Sequence, residues 1–89
     1  MPRVVFTTAL AKHIDCPDEA VDGPTVREAL DAYFARHDGA RPYVLDEQGA
    51  LRQHVVVFVD GAQVRDRSAL AEAVAPAGEI YVMQALSGG

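Results

Sequence analysis

Eighty-nine residues form one small domain that buries about 60 to 65% of the surface its unfolded chain exposes, which leaves one modest core and excludes a large internal active-site cleft. Half of the residues are apolar and a quarter charged, with no leader-like start and no run of about 18 apolar residues, so a folded cytoplasmic protein without a membrane partner is expected. Thirteen acidic against eight basic side chains give a net charge of −5, which repels phosphate backbones and argues against nucleic acid; a protein partner with a basic docking surface fits better.

The run Val4-Val5-Phe6-Thr7-Thr8-Ala9-Leu10 mixes β-branched and aromatic residues and predicts a strand over residues 4–10, near the sheet centre. Residues 16–21 predict a second strand, short and at an edge, because Pro17 lacks an amide donor. Cys16 is the only cysteine, so no internal disulfide and no thiolate-built zinc or iron–sulfur site can form. Asp15, Asp18 and Glu19 around it raise a thiol pKa, which reads as a structural cysteine rather than a nucleophile paired with His13. Lys12, the only lysine beside seven arginines, reads as a solvated loop residue, with conjugation or an ion pair as alternatives.

Asp22-Gly23-Pro24 is a turn that delivers the chain to Thr25-Val26-Arg27-Glu28, a capping-box pattern. Val26, Ala29, Leu30, Tyr33 and Phe34 then form one apolar stripe at helical spacing. Arg36 and His37 suit the last turn, and Gly39 is expected to supply a left-handed stop. Residues 40–53 hold two short apolar patches around a turn at Asp46-Glu47-Gln48-Gly49, in a weakly structured excursion. Residues 54–59 read as strand, and Asp60-Gly61 signals a hairpin into Ala62-Gln63-Val64. Residues 68–74 predict a brief helical turn capped by Ser68 and ended by Pro76 and Gly78. A last strand over residues 80–85 runs into Leu86 and Ser87-Gly88-Gly89. The expected fold class is α+β: a mixed four- to five-stranded sheet with one main helix on one face and the other face open. His13, His37 and His54 fall on different elements without ligand spacing, so no metal site is expected.

Two glycines in succession at a chain end arise by chance in about one chain in two hundred. Residues 1–86 read as the domain and residues 87–89 as a flexible tail, with an ordinary frayed end as the plain alternative. Leu86, Met83 and Tyr81 are candidates for the open sheet face, where they could dock a partner.

The opening strand, the Thr25-capped helix, the strand and turn Val57-Phe58-Val59-Asp60-Gly61, and the ending Ile80-Tyr81-Val82-Met83-Gln84-Ala85-Leu86-Ser87-Gly88-Gly89 together resemble the ThiS/MoaD family of small sulfur carriers. The likeness covers essentially the whole chain, although that family commonly has Asn-Gly where this chain has Asp60-Gly61, and often Pro where it has Gln84. The length of the 40–53 excursion is similar to that of the molybdopterin-synthase small-subunit and CysO-like carriers. The resemblance implies the ubiquitin-like β-grasp fold and a protein co-substrate rather than an enzyme. It also implies an E1-like adenylating partner that uses MgATP on Gly89, with no cofactor bound by the carrier itself. A persulfide or sulfide donor then converts the adenylate to a thiocarboxylate, which a sulfur-accepting biosynthetic enzyme uses to make molybdopterin, cysteine, thiazole or a thio-metabolite.

The residue chemistry suits that role. A glycine carboxylate is an anion at neutral pH and resists nucleophilic attack until activated. Gly88 and Gly89 lack side chains and can thread a narrow channel, while Ser87 reads as a small spacer. Two rival readings share the pattern: a ubiquitin-like modifier attached to lysines through Gly89, and a β-grasp regulatory subunit whose tail is never activated.

Overall fold

In the computed structural model, which describes residues 1–12 and 15–84, three strands turn every second residue into one core. β1 (Arg3–Phe6) buries Val4 and Phe6; β3 (Val55–Val59) buries Val55 and Val57; β5 (Glu79–Gln84) buries Ile80 and Val82. With β2 (Glu19–Ala20) and β4 (Ala62–Gln63) they form a mixed five-stranded sheet in the order β2-β1-β5-β3-β4. β5 lies in the middle, parallel to β1 from Arg3 opposite Glu79 to Phe6 opposite Val82. It is antiparallel to β3 from Val55 opposite Gln84 to Val59 opposite Ile80. The last strand in the sequence is therefore the central one. β2 is short and at an edge, as Pro17 predicts. Asp60 and Gly61 take φ of 48° and 86°, the two positive angles of a type I′ hairpin.

The main helix, α2 (Val26–Arg36), covers one sheet face, and all five residues of its apolar stripe are buried. The amides of its first turn have no partner inside the helix and must find one elsewhere. Thr25 Oγ1 accepts from the Glu28 amide at 3.2 Å, which forms the expected cap. The Val26 amide donates to the Glu72 carbonyl at 3.0 Å and the Arg27 amide to the Leu70 carbonyl at 2.8 Å. The Arg27 guanidinium donates to the carbonyls of Gly49 (2.5 Å) and Ser68 (2.8 Å), so one side chain ties two distant turns to the helix start.

That accounting explains where the structure departs from the sequence reading. Residues 68–74 do not form the helical turn expected from Ser68: Asp66 Oδ1 accepts from the amides of Ser68 (3.3 Å) and Ala69 (3.0 Å), and Leu70 turns the chain with φ 55°. The Leu70 and Glu72 carbonyls serve α2, and Ala73 pairs with Thr25 in a single antiparallel bridge. The strand expected over residues 4–10 ends at Phe6, and α1 (Thr8–Ala11) follows. Thr7 precedes α1 in extended backbone without a side-chain cap bond, so β-branched Thr7 and Thr8 carry a strand signal and no helix signal. Gly39 is not a left-handed stop; it sits inside a 3-10 turn (Asp38–Ala40) that leads straight into α3 (Arg41–Val44). The 40–53 segment is better ordered than expected. Val44, Leu45 and Leu51 are buried, Leu45 bridges Leu51, and Asp46 Oδ1 accepts from the amides of Gln48 (2.8 Å) and Ala50 (3.0 Å). The turn itself lies where the sequence puts it. No helix among the described residues is long and apolar enough to cross a membrane.

Gly23 lets the turn before α2 approach the helix closely: a Cβ there would lie 2.5 Å from the Ala29 nitrogen and 2.7 Å from the Glu28 carbonyl carbon. Gly23→Ala is expected to lose about 2 to 3 kcal/mol in urea unfolding, because both atoms met are backbone. Gly39 has open space around it, and Gly39→Ala is expected to stay within about 0.5 kcal/mol of the parent.

Candidate functional site

The residues that alternate with the core positions form the second face of the sheet. Val5 on β1 stands opposite Tyr81 on β5, and Tyr81 stands opposite Phe58 on β3, a row of three across three strands. Met83 and Val56 make the next row, toward the end of β5. All five are half-buried, and neither α2 nor α3 buries its stripe against them. Arg3 and Glu79, both exposed, face each other at the opposite end of the same face. The structure thus puts Met83 and Tyr81 on the open face, as expected, and adds Val5, Val56 and Phe58. Period-2 reading of residues 54–59 could have found the last two, but choosing the face requires the register of β3 against β5. Leu86, Ser87, Gly88 and Gly89 lie outside the described residues.

The other candidates separate from this face. Cys16 is buried in the core, where burial first and then Asp15 and Asp18 push its thiol upward, the opposite of an activated nucleophile. Tyr33 is fully buried, donates its hydroxyl to the Pro17 carbonyl at 2.7 Å, and is likewise shifted upward, chiefly by burial. Its ring stacks against Phe6 at 5.1 Å and His37 at 4.6 Å. Glu19 on β2 accepts from Arg36 at 3.1 Å and lies 3.3 Å from His37 Nε2, which together hold its carboxyl below the usual range. These contacts fasten an edge strand to the end of α2. His54 is exposed just before β3, and His13 lies outside the described residues. No three His, Cys, Asp or Glu side chains converge as a metal site among the described residues. A surface hollow of about 200 Å³ is lined by Arg41, Pro42, Leu45, Asp46, Glu47 and Arg52. Three of its polar side chains are already engaged: Arg52 Nε donates to the Pro42 carbonyl, Arg41 lies 3.7 Å from Asp31, and Asp46 serves its turn.

The described residues thus place Val5, Val56, Phe58, Tyr81 and Met83 together as an apolar patch on the second face of the sheet. The family model described as ThiS family matches residues 9–89. No curated protein sequence matches the chain. Among solved structures, SAMP1 from Haloferax volcanii is 30% identical with a TM-score of 0.76, covering 99% of this chain and 98% of that one. A chain from the Amycolatopsis orientalis BexX/CysO complex is 26% identical with a TM-score of 0.82, each chain covered completely at 100%. Mycobacterium tuberculosis CysO, at 22% identity and a TM-score of 0.80, shares the fold over 97% of this chain and 100% of its own.

Glu19 gives the β2–α2 fastening a pH signature. Its folded pKa is depressed, so the stabilisation is present above the ordinary glutamate value of about 4.3 and is lost as pH falls through the lower folded value. Glu19→Gln is expected to lower the thermal midpoint at neutral pH and to narrow the gap to the parent below about pH 4. Melting curves across that range check it.

Proposed function

Because the chain belongs to the ThiS family, a β-grasp family, we propose that it is a sulfur carrier protein whose Gly89 carboxylate is activated by a partner and returned as a thiocarboxylate. The observation that carries this reading is the position of β5, central in the sheet, bearing the apolar open face and continuing in sequence to Gly88-Gly89. An E1-like adenylating partner using MgATP would form the acyl adenylate on Gly89. Hydrosulfide then forms the new C–S bond as the C–O bond to AMP breaks. Gly88 guides the tail, Ser87 spaces it, and Leu86 with Met83, Tyr81, Phe58, Val56 and Val5 forms the contact surface. The chain supplies the substrate group and the partners supply the catalysis, so MgATP belongs to the activating enzyme. The complex of BexX with CysO supports a sulfur-accepting enzyme as a further partner. The pocket of that enzyme selects the product, whether molybdopterin, cysteine, thiazole or a thio-metabolite.

A second reading has its own support, since the 30% identical SAMP1 is a small archaeal modifier protein. In that role Gly89 would end in an isopeptide bond to lysines of other proteins. Cells expressing the chain would then contain higher-mass adducts that vanish when Gly89 is deleted; a pure carrier gives none.

Incubation with the cognate adenylating enzyme, MgATP and sulfide is expected to add the mass difference of one oxygen exchanged for one sulfur, and the Gly89 deletion is expected to add none. Failure to detect either that product or the adenylate in the intact mass would overturn the carrier reading. Phe58→Asp is expected to weaken the complex with that enzyme at least tenfold, about 1.4 kcal/mol, while the circular dichroism spectrum is unchanged.

A further inference from the structure

Of residues 15–21 only Cys16 and Val21 are buried; the other five are exposed or half-buried. Their backbone bonds to the sheet are few. β2 meets β1 at Arg3 opposite Ala20 and Val4 opposite Glu19, and the Val21 amide donates to the Pro2 carbonyl at 2.8 Å. That bond makes Pro2 and Val21 a hydrogen-bonded pair, so antiparallel alternation turns the N–H and C=O of Ala20 away from the sheet. Pro17 brings no donor at all. By contrast β5 pairs with β1 over four residues and with β3 over five.

The side-chain contacts that hold the segment down come from the end of α2. The Tyr33 hydroxyl donates to the Pro17 carbonyl at 2.7 Å, Arg36 Nη1 donates to Glu19 Oε2 at 3.1 Å, and His37 Nε2 lies 3.3 Å from Glu19 Oε1. Two of these three groups are positioned without help from the segment. Tyr33 packs against Phe6 at 5.1 Å and Phe34 at 5.6 Å, and His37 stacks on Tyr33 at 4.6 Å. Their side of the contact therefore stays in place when the segment moves. Among the described residues, Glu19 supplies the segment's side-chain bonds to Arg36 and His37. Lifting residues 15–21 gives up these bonds and the burial of two side chains, whereas parting β1, β5 and β3 dismantles the shared core.

We propose that residues 15–21 are a strap: it lifts from β1 and α2 as one unit while the β1-β5-β3 core stays folded, and Glu19 is the catch that sets how often it lifts. Lifting bares the outer edge of β1, the strand that contributes Val5 to the apolar row. It also uncovers the Cys16 thiol, which takes no part in the device and, as the only thiol in the chain, reports the open form. The strap is independent of the reading of Gly89.

Iodoacetamide trapping of Cys16 in the full chain, followed by intact mass, reads the open fraction when reclosing outruns alkylation. The rate is measured at several urea concentrations below the unfolding transition, and its slope is expected to be less than about half that of global unfolding followed by circular dichroism, because the slope scales with the surface exposed. Glu19→Gln is expected to trap about fivefold faster with the same slope, as suits the loss of partly exposed ion pairs. Tyr33→Phe removes only the hydroxyl and is expected to act in the same direction. Glu28→Gln, the same charge change at the other end of α2, is expected to stay within about twofold of the parent. Trapping that carries the full slope of global unfolding would overturn the proposal, since Cys16 would then be reached only by unfolding the whole domain. Parental rates in both Glu19→Gln and Tyr33→Phe, or a parent that traps as fast as the urea-unfolded chain, would overturn it as well.

Discussion

The amides at the start of α2 set the path of the chain. A helix that begins against a protein surface must find partners for its first N–H groups, and here they come from Thr25, Leu70 and Glu72. Meeting that demand keeps residues 70–74 from coiling into a helix of their own and lays them beside the helix start. The Val74 amide returns the bond to the Pro24 carbonyl at 2.8 Å, closing the junction from the other side. Arg27 extends it to the turns at Gly49 and Ser68, a task for the forked guanidinium that one ammonium cannot match. From this junction the chain reaches Glu79 and enters the sheet between β1 and β3, so the final strand becomes the central one.

A central last strand has two consequences for function. It is held along both edges, by β1 and β3, which gives the residues that follow Gln84 a rigid base. It also places Tyr81 between Val5 and Phe58, so three strands combine their open positions into one apolar row across the sheet. The buried Cys16 and Tyr33 are shifted away from reactivity, and the Glu19, Arg36 and His37 contacts hold an edge strand in place.

The parts legible in the sequence were those with a local physical signature. Thr25 followed by Glu28 and the five-residue stripe gave α2; the continuous β-branched and aromatic run Val55–Val59 gave β3; Asp60-Gly61 gave its hairpin; Pro17 made β2 an edge. The misreadings came where a distant partner decides the local form. Ser68 has the residue type of a helix cap, but its segment is claimed by α2 amides more than forty positions earlier. Thr7-Thr8 has strand propensity, yet the chain bends after Phe6 and buries Leu10. Met83 and Tyr81 could be nominated for the open face from alternation within β5, whereas Val5, Val56 and Phe58 joined them only through cross-strand register.

The central claim is that the open face and the diglycine form one surface for an activating partner. Two-dimensional amide NMR of the full chain, titrated with its cognate adenylating enzyme, tests it most directly. The account predicts shifts or broadening at Val5, Val56, Phe58, Tyr81, Met83, Gly88 and Gly89, with the exposed α2 positions Glu28, Asp31 and Ala35 unchanged. Perturbation centred on those α2 positions, with the sheet face and glycine amides unmoved, would contradict it.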